Sequence, residues 1–196
     1  MATRPWLAAC NLLFALALVH RLQPAVGIQR VFILEAHQRG LLCGYTSEAE
    51  WSKVPKERDT EFTAVVTLTN GVATSVLVER YSEDTNTYDE YTIDKTGDVR
   101  RLKRTRDVIP DRVTREQTWN IQGGTAVKVS ESWMQFRTHM PIPPDSDFND
   151  FPENPIILRI ADFPFSALIK DDHPELWKTG MRCVPGSMDK LEGPAR

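Results

Sequence analysis

Thiols are the first candidates for chemistry in this chain. Of its three cysteines, Cys10 falls within an apolar N-terminal run, which leaves Cys43 and Cys183 in the body of the sequence. Cys43 together with His37, His139 or His173 would supply the parts of a thiol dyad. Its flanks match no protease signature, and pairing with Cys183 accounts for both sulfurs. No Gly-x-Ser-x-Gly elbow offers a serine nucleophile instead. The sequence therefore predicts a Cys43–Cys183 disulfide and assigns no catalytic residue.

Metal ligands are equally sparse. Beyond the N-terminal run the three histidines, His37, His139 and His173, stand far apart in the chain, so none forms a local chelate with another. Asp171-Asp172-His173 places three ligand types side by side, but adjacent side chains rarely converge on one ion, and a helix cap before Pro174 explains them. Asp145-Ser146-Asp147-Phe148-Asn149-Asp150 opens like a calcium loop, with oxygen ligands at alternate positions. It has Asp150 where such a loop needs glycine and Ile156 where it needs the closing glutamate. A solvated acidic loop is the expectation, with no metal and no cofactor.

Charge and aromatic residues give the two binding candidates. Eight basic residues crowd between Asp94 and Arg115, against aspartates at 94, 98, 107 and 111. On a strand, Arg101 and Lys103 point one way while Arg100, Leu102, Arg104 and Arg106 point the other. Cation on both sides suggests an edge, a protruding hairpin or a wet interior. The five residues Arg100, Arg101, Lys103, Arg104 and Arg106 are thus a candidate surface for an anionic lipid headgroup, polysaccharide or protein. A cross-strand ladder to Glu79, Glu90 and Glu116 is the plainer account. Trp119 and Trp133, on neighbouring strands, are candidate lining for a cavity holding an apolar ligand, or else core.

The elements that must position these residues are mostly strands. Phe62, Ala64, Val66 and Leu68 alternate with Thr63, Val65, Thr67 and Thr69. Asn70-Gly71 follows as a hairpin turn, and Val72, Thr74, Val76 and Val78 alternate beyond it. Similar runs cover 88–93, 99–108, 112–121 and 126–136, separated by turn-like residues. Six strands with tight connections make an antiparallel meander, because parallel pairing needs long crossovers. Such a sheet must curl into a barrel or half-barrel, or be covered.

The flanks are less regular. Residues 31–36 read as a strand or the start of a helix. Ser47-Glu48-Ala49-Glu50 matches a capping box for a short helix near Trp51, ended by Pro55. Residues 141–155 form a Pro-rich, acidic loop, and 156–161 are apolar enough for another strand. Short helices are expected after Pro164, with Phe165, Leu168 and Ile169 on one face, and after Pro174. The expected fold class is mainly β: an antiparallel meander in one domain, residues 28–196, with short covering helices towards both ends.

Residues 1–27 read as an export signal. Arg4 precedes an apolar run from Trp6 to Val19, and Ala25-Val26-Gly27 supplies the small residues at a cleavage site. The run falls short of the roughly 20 residues a membrane span needs, and no later run is longer. Leu7-Ala8-Ala9-Cys10 resembles a lipidation box, but most of the apolar run lies after the cysteine. The net charge is −3, and losing Arg4 and Arg21 makes it more negative, giving no reason to expect nucleic acid. The compartment expected is the periplasm or the cell exterior.

In architecture alone, a signal followed by a curling meander with covering helices resembles periplasmic half-barrel lipid carriers and lipocalin-type barrels. The Gly-x-Trp of a lipocalin start is missing, since Trp51 follows Ala49-Glu50. The functional expectation is a non-enzymatic protein that binds a protein, lipid or polysaccharide partner. An apolar-ligand carrier and a hydrolase are the alternatives.

Overall fold

The computed structural model describes residues 28–36, 41–54, 62–144, 154–170 and 181–185. The signal with Cys10, His37, Pro55, the acidic stretch 145–153, His173 and the Pro174 helix lie outside the described residues. Nine strands build one sheet: β1 (Ile28–Ala36), β2 (Leu41–Tyr45), β3 (Phe62–Thr69), β4 (Val72–Tyr81), β5 (Thr85–Ile93), β6 (Val99–Val108), β7 (Val113–Gln122), β8 (Thr125–Gln135) and β9 (Met181–Pro185). Two four-residue helices accompany them, α1 (Glu48–Trp51) and α2 (Ala167–Lys170).

Every neighbouring pair is antiparallel, in the order β8-β7-β6-β5-β4-β3-β1-β2-β9. The meander expected from the sequence is the run β3 to β8. β1 then inserts between β3 and β2, so the chain passes over β1 through α1 to reach β3. The sheet is open, with β8 and β9 as its edges, so of the barrel or half-barrel expected from the sequence, closure into a barrel is not seen among the described residues.

Turn chemistry explains the hairpins. Asn70 and Gly71 take φ of 52° and 77°, the two positive values a type I′ turn demands. Gly123 and Gly124 repeat this between β7 and β8, at 59° and 77°. Between β5 and β6 the Asp94 carboxylate accepts the N–H groups of Thr96 and Asp98. Those bonds, led by one from the Thr96 hydroxyl, hold Asp94 well below the usual carboxylate range.

One face of the sheet, the inner face, carries a buried apolar cluster that runs from β1 to β7. Val31, Phe62, Val66, Val76, Tyr91, Leu102 and Trp119 belong to one buried cluster there. Residues 154–170 cover this face with Ile157, Phe163, Phe165 and Leu168. Phe163 meets Tyr91 edge-on at 5.1 Å and stacks on Phe165 at 5.1 Å. Each fully buried phenylalanine contributes about 2–3 kcal/mol by area.

The strand expected at 156–161 is reduced to one bridge, Asp98↔Arg159, followed by a 3-10 turn at Ile160–Asp162. Its pairing partner is the tight β5–β6 turn with the first residue of β6, through two backbone bonds: Val99 N–H donates to Leu158 O, and Ile160 N–H donates to Gly97 O. Gly97 makes that approach possible, with φ at 86° and an added Cβ only 2.9 Å from Ile160 Cγ2. Gly97→Ala should therefore cost about 1–2 kcal/mol for its backbone conformation alone. Urea unfolding of the variant checks this, and an unchanged midpoint would show that the turn relaxes freely.

The short helices match their sequence signals in part. α1 forms at Ser47, although the Ser47 side chain makes no capping hydrogen bond. After Pro164, Phe165 in the turn and Leu168 of α2 are buried, and Ile169 packs against the core. Residues 31–36 are strand, settled by pairing with β2 and β3 on either side.

Candidate functional site

Cys43 and Cys183 are direct partners across β2 and β9, with Cα atoms 4.0 Å apart, and they form a disulfide spanning 140 residues of sequence. His139 lies in the loop after β8 with a positive φ of 52°. Among the described residues no group of three or more histidine, cysteine or acidic side chains is placed to hold a metal ion.

The basic segment is divided rather than gathered. Arg101 and Lys103 point to the outer face, where Lys103 pairs with Glu116 at 3.1 Å. Arg100 is displaced at a β-bulge and donates to Asp94 at 2.7 Å. Arg104 and Arg106 point to the inner face and are buried at 1% and 6% exposure. β6 is a central strand, so none of the three open settings suggested by its charge pattern is needed.

What permits buried arginine is a residue the sequence reading passed over. Asp89 on β5 is Arg104's direct cross-strand partner and is fully buried. Arg104 Nε and Nη2 donate to its two oxygens at 2.6 and 2.8 Å, a bidentate pair. Arg80, reaching from β4, donates to Asp89 Oδ2 at 3.1 Å from both terminal nitrogens. Burial pulls the Arg80 guanidinium below its usual value against the raising effect of Asp89, and burial pushes the neighbouring Tyr91 phenol up. Arg104 Nη1 also donates to the backbone oxygen of Asn154, tying the covering segment to the sheet.

The same face continues through tryptophans and arginines. Arg104 lies over Trp119 at 5.5 Å and Arg115 over Trp133 at 5.1 Å, cation–π contacts in buried surroundings. Glu131 accepts from Arg115, Gln117 and Lys128. Burial works against ionisation of Glu131, but its Lys128 and Arg115 bonds outweigh it and hold the carboxyl below the usual range. Trp119 and Trp133 share a face without being neighbours: Trp133 is opposite Arg115, and Trp119 lies four positions further along β7. Both rings are buried, Trp119 within the core cluster.

An open groove lies on the outer face instead. Its floor is one cross-strand row, Phe32–Val65–Leu77–Glu90, running over β1, β3, β4 and β5. Trp51 of α1 forms a wall by stacking on Phe32 at 5.5 Å and 29°. The groove encloses about 550 Å³, and Arg30, Glu48, Thr67, Ser75 and Glu79 complete its lining. Glu79 accepts from Thr63 and Tyr81. Glu48 and Glu90 have no ion-pair partner among the described residues, because Lys103, opposite Glu90, is committed to Glu116. Three carboxylates therefore face one guanidinium above an apolar floor.

This groove was within reach of the sequence. Glu79 alternates with Val76 and Val78, and Glu90 with Tyr91 and Ile93, so alternation sets both outward. The placing of α1 above them depends on the crossover between β2 and β3, which the local pattern does not encode. Comparison of the chain with protein-family models, with curated proteins and with solved structures finds no match.

Proposed function

We propose that this chain is an exported, non-enzymatic binding protein that receives its partner in the groove beside α1. The occupant inferred is a peptide segment of another protein carrying lysine or arginine next to apolar side chains. The observation that carries this reading is the pairing of apolar lining, Phe32, Val65 and Leu77 in the floor and Trp51 in the wall, with the carboxylates of Glu48, Glu79 and Glu90. Apolar contact supplies the affinity, and the carboxylates select charge and speed encounter. This replaces the anionic partner anticipated from the arginine run, whose members divide between the two faces. Export is supported by the signal-like N-terminus and by the disulfide, which is compatible with an oxidising compartment.

The test is titration of a short synthetic peptide alternating lysine and leucine, followed by tryptophan fluorescence and calorimetry. Binding should weaken roughly tenfold or more when Glu48→Lys and Glu90→Lys are combined, since two rim attractions become repulsions. A glutamate-for-lysine peptide that binds equally well would overturn the reading, as would no binding at all. For export, the mass of the protein collected from a secreting host should begin at Ile28.

A further inference from the structure

β8 is an edge strand, and its outward side is only partly used. At its C-terminal end the chain folds back: Ile142 N–H donates to Trp133 O, and Gln135 N–H donates to Met140 O. From Thr125 to Ser132 the outward backbone has no hydrogen-bonded partner among the described residues. Val127 and Val129 on this stretch are 58% and 53% exposed. An uncovered strand edge with exposed valines is a template for another strand.

The bulge and the charges of β8 indicate which strand. Pairing with β7 shifts at Val129: Ser130 lies opposite Thr118, whereas Lys128 lies opposite Trp119. The extra residue resets the alternation of side chains. Lys128 and Glu131, three apart, consequently share the inner face, where a regular strand would put them on opposite faces. They already form an ion pair within the chain.

Consider an antiparallel approach of two copies about a two-fold axis between Val129 and Ser130. Lys128 falls opposite Glu131 of the second copy, and Glu131 opposite its Lys128. Val127 falls opposite Ser132. Each opposed pair keeps to one face, and both strands carry the same two residues between the charged positions, so the bulges match. The run used, Val127–Ser132, stops where the 140–142 fold-back begins. We propose that β8 pairs with β8 of a second copy over Val127–Ser132, joining two sheets edge to edge, with the Lys128–Glu131 charges setting the register. Such isologous contacts are the commonest way a chain meets its own copy.

Sedimentation velocity on the purified chain at rising concentration should show a monomer–dimer equilibrium. Lys128→Glu sets like charges opposite each other at two symmetric places and should weaken association roughly tenfold or more. Register is read separately by crosslinking. Val127→Cys protein mixed with Ser132→Cys protein should give a mixed disulfide under mild oxidation, at higher yield than either preparation alone. All the substituted side chains are outward or exposed, so circular dichroism should show folded protein in each case. A monomer at every concentration would overturn the proposal. So would a dimer that ignores Lys128→Glu or gives no excess of the mixed 127–132 crosslink.

Discussion

Replacing Asp89 with alanine should lower the unfolding free energy by about 3–5 kcal/mol, the usual cost of removing one partner from a buried ion pair. The carboxylate is fully buried and is shared by two guanidiniums, Arg104 from β6 and Arg80 from β4. Arg80 keeps a route to water, at 15% side-chain exposure. Arg104 has no such route, because its side chain is 2% exposed and its other terminal nitrogen is held by Asn154. The cost is therefore assigned chiefly to Arg104, stranded as a charge in the core.

That attribution has its own check. Asp89→Val combined with Arg104→Met removes both charges and keeps apolar volume, so it should recover a large part of the loss. Urea unfolding with an unchanged m value measures both variants. Equal destabilisation by the single and double substitutions would place the energy in Arg80 instead, which loses Asp89 in both. The site is a joint as well as a charge pair. Through Asn154 it fixes the segment that carries Phe163 and Phe165 over the sheet, so Asp89→Ala should also loosen that cover.

The second large effect concerns the disulfide. Removing it by Cys43→Ser with Cys183→Ser should cost about 2–5 kcal/mol, and the chain-entropy model gives roughly 5 for so long a loop. The bond joins opposed residues of β2 and β9, so its loss acts first on the five-residue edge strand that it fastens. Cys183 is exposed, which leaves the bond open to a reductant without prior unfolding. Calorimetry with and without reductant should show the reduced protein melting several degrees lower, by the usual scaling for a domain of this size. Identical melting would show that the loop closure contributes nothing to stability.

The hairpins were the most legible part of this sequence, because a type I′ turn needs two adjacent residues tolerant of positive φ. Asn70-Gly71 and Gly123-Gly124 meet that condition and fix the register of the strands they join. Strand alternation marked the core face equally well on β3 and β4. The position of β1 was harder. Ile28–Ala36 lies between two partners, and nothing local says that β2 and β3 should flank it. β9 posed the same difficulty, since its partner is far away in sequence and only the cysteines hinted at the link.

The polar cluster was hidden for a different reason. Thr87, Asp89, Tyr91 and Ile93 share one parity, so Asp89 was already on the apolar side of its strand. Read alone, a carboxylate there looks like a break in the pattern. Read with Arg104 on the next strand, it is the counter-charge that lets a basic strand run through the middle of a sheet. Burial of charge is decided pairwise, and single-strand periodicity shows one member at a time. The groove was obscured similarly: its floor is written in the strand alternation, while its wall belongs to a crossover.

The strand order also bears on how the chain reaches this structure. β3 to β8 follow one another in sequence, and each connection between them closes over a handful of residues. Loop-closure entropy is small for such steps, so this block forms by fast local pairing. β9 must find β2 across 140 residues, and the cover at 154–170 must return to strands made much earlier. The apolar inner face of β3 to β8 is therefore assembled before its cover arrives. In a chain made from its N-terminus, the half-built sheet would wait with that face bare, so its open edges matter most in the interval before residue 154 emerges.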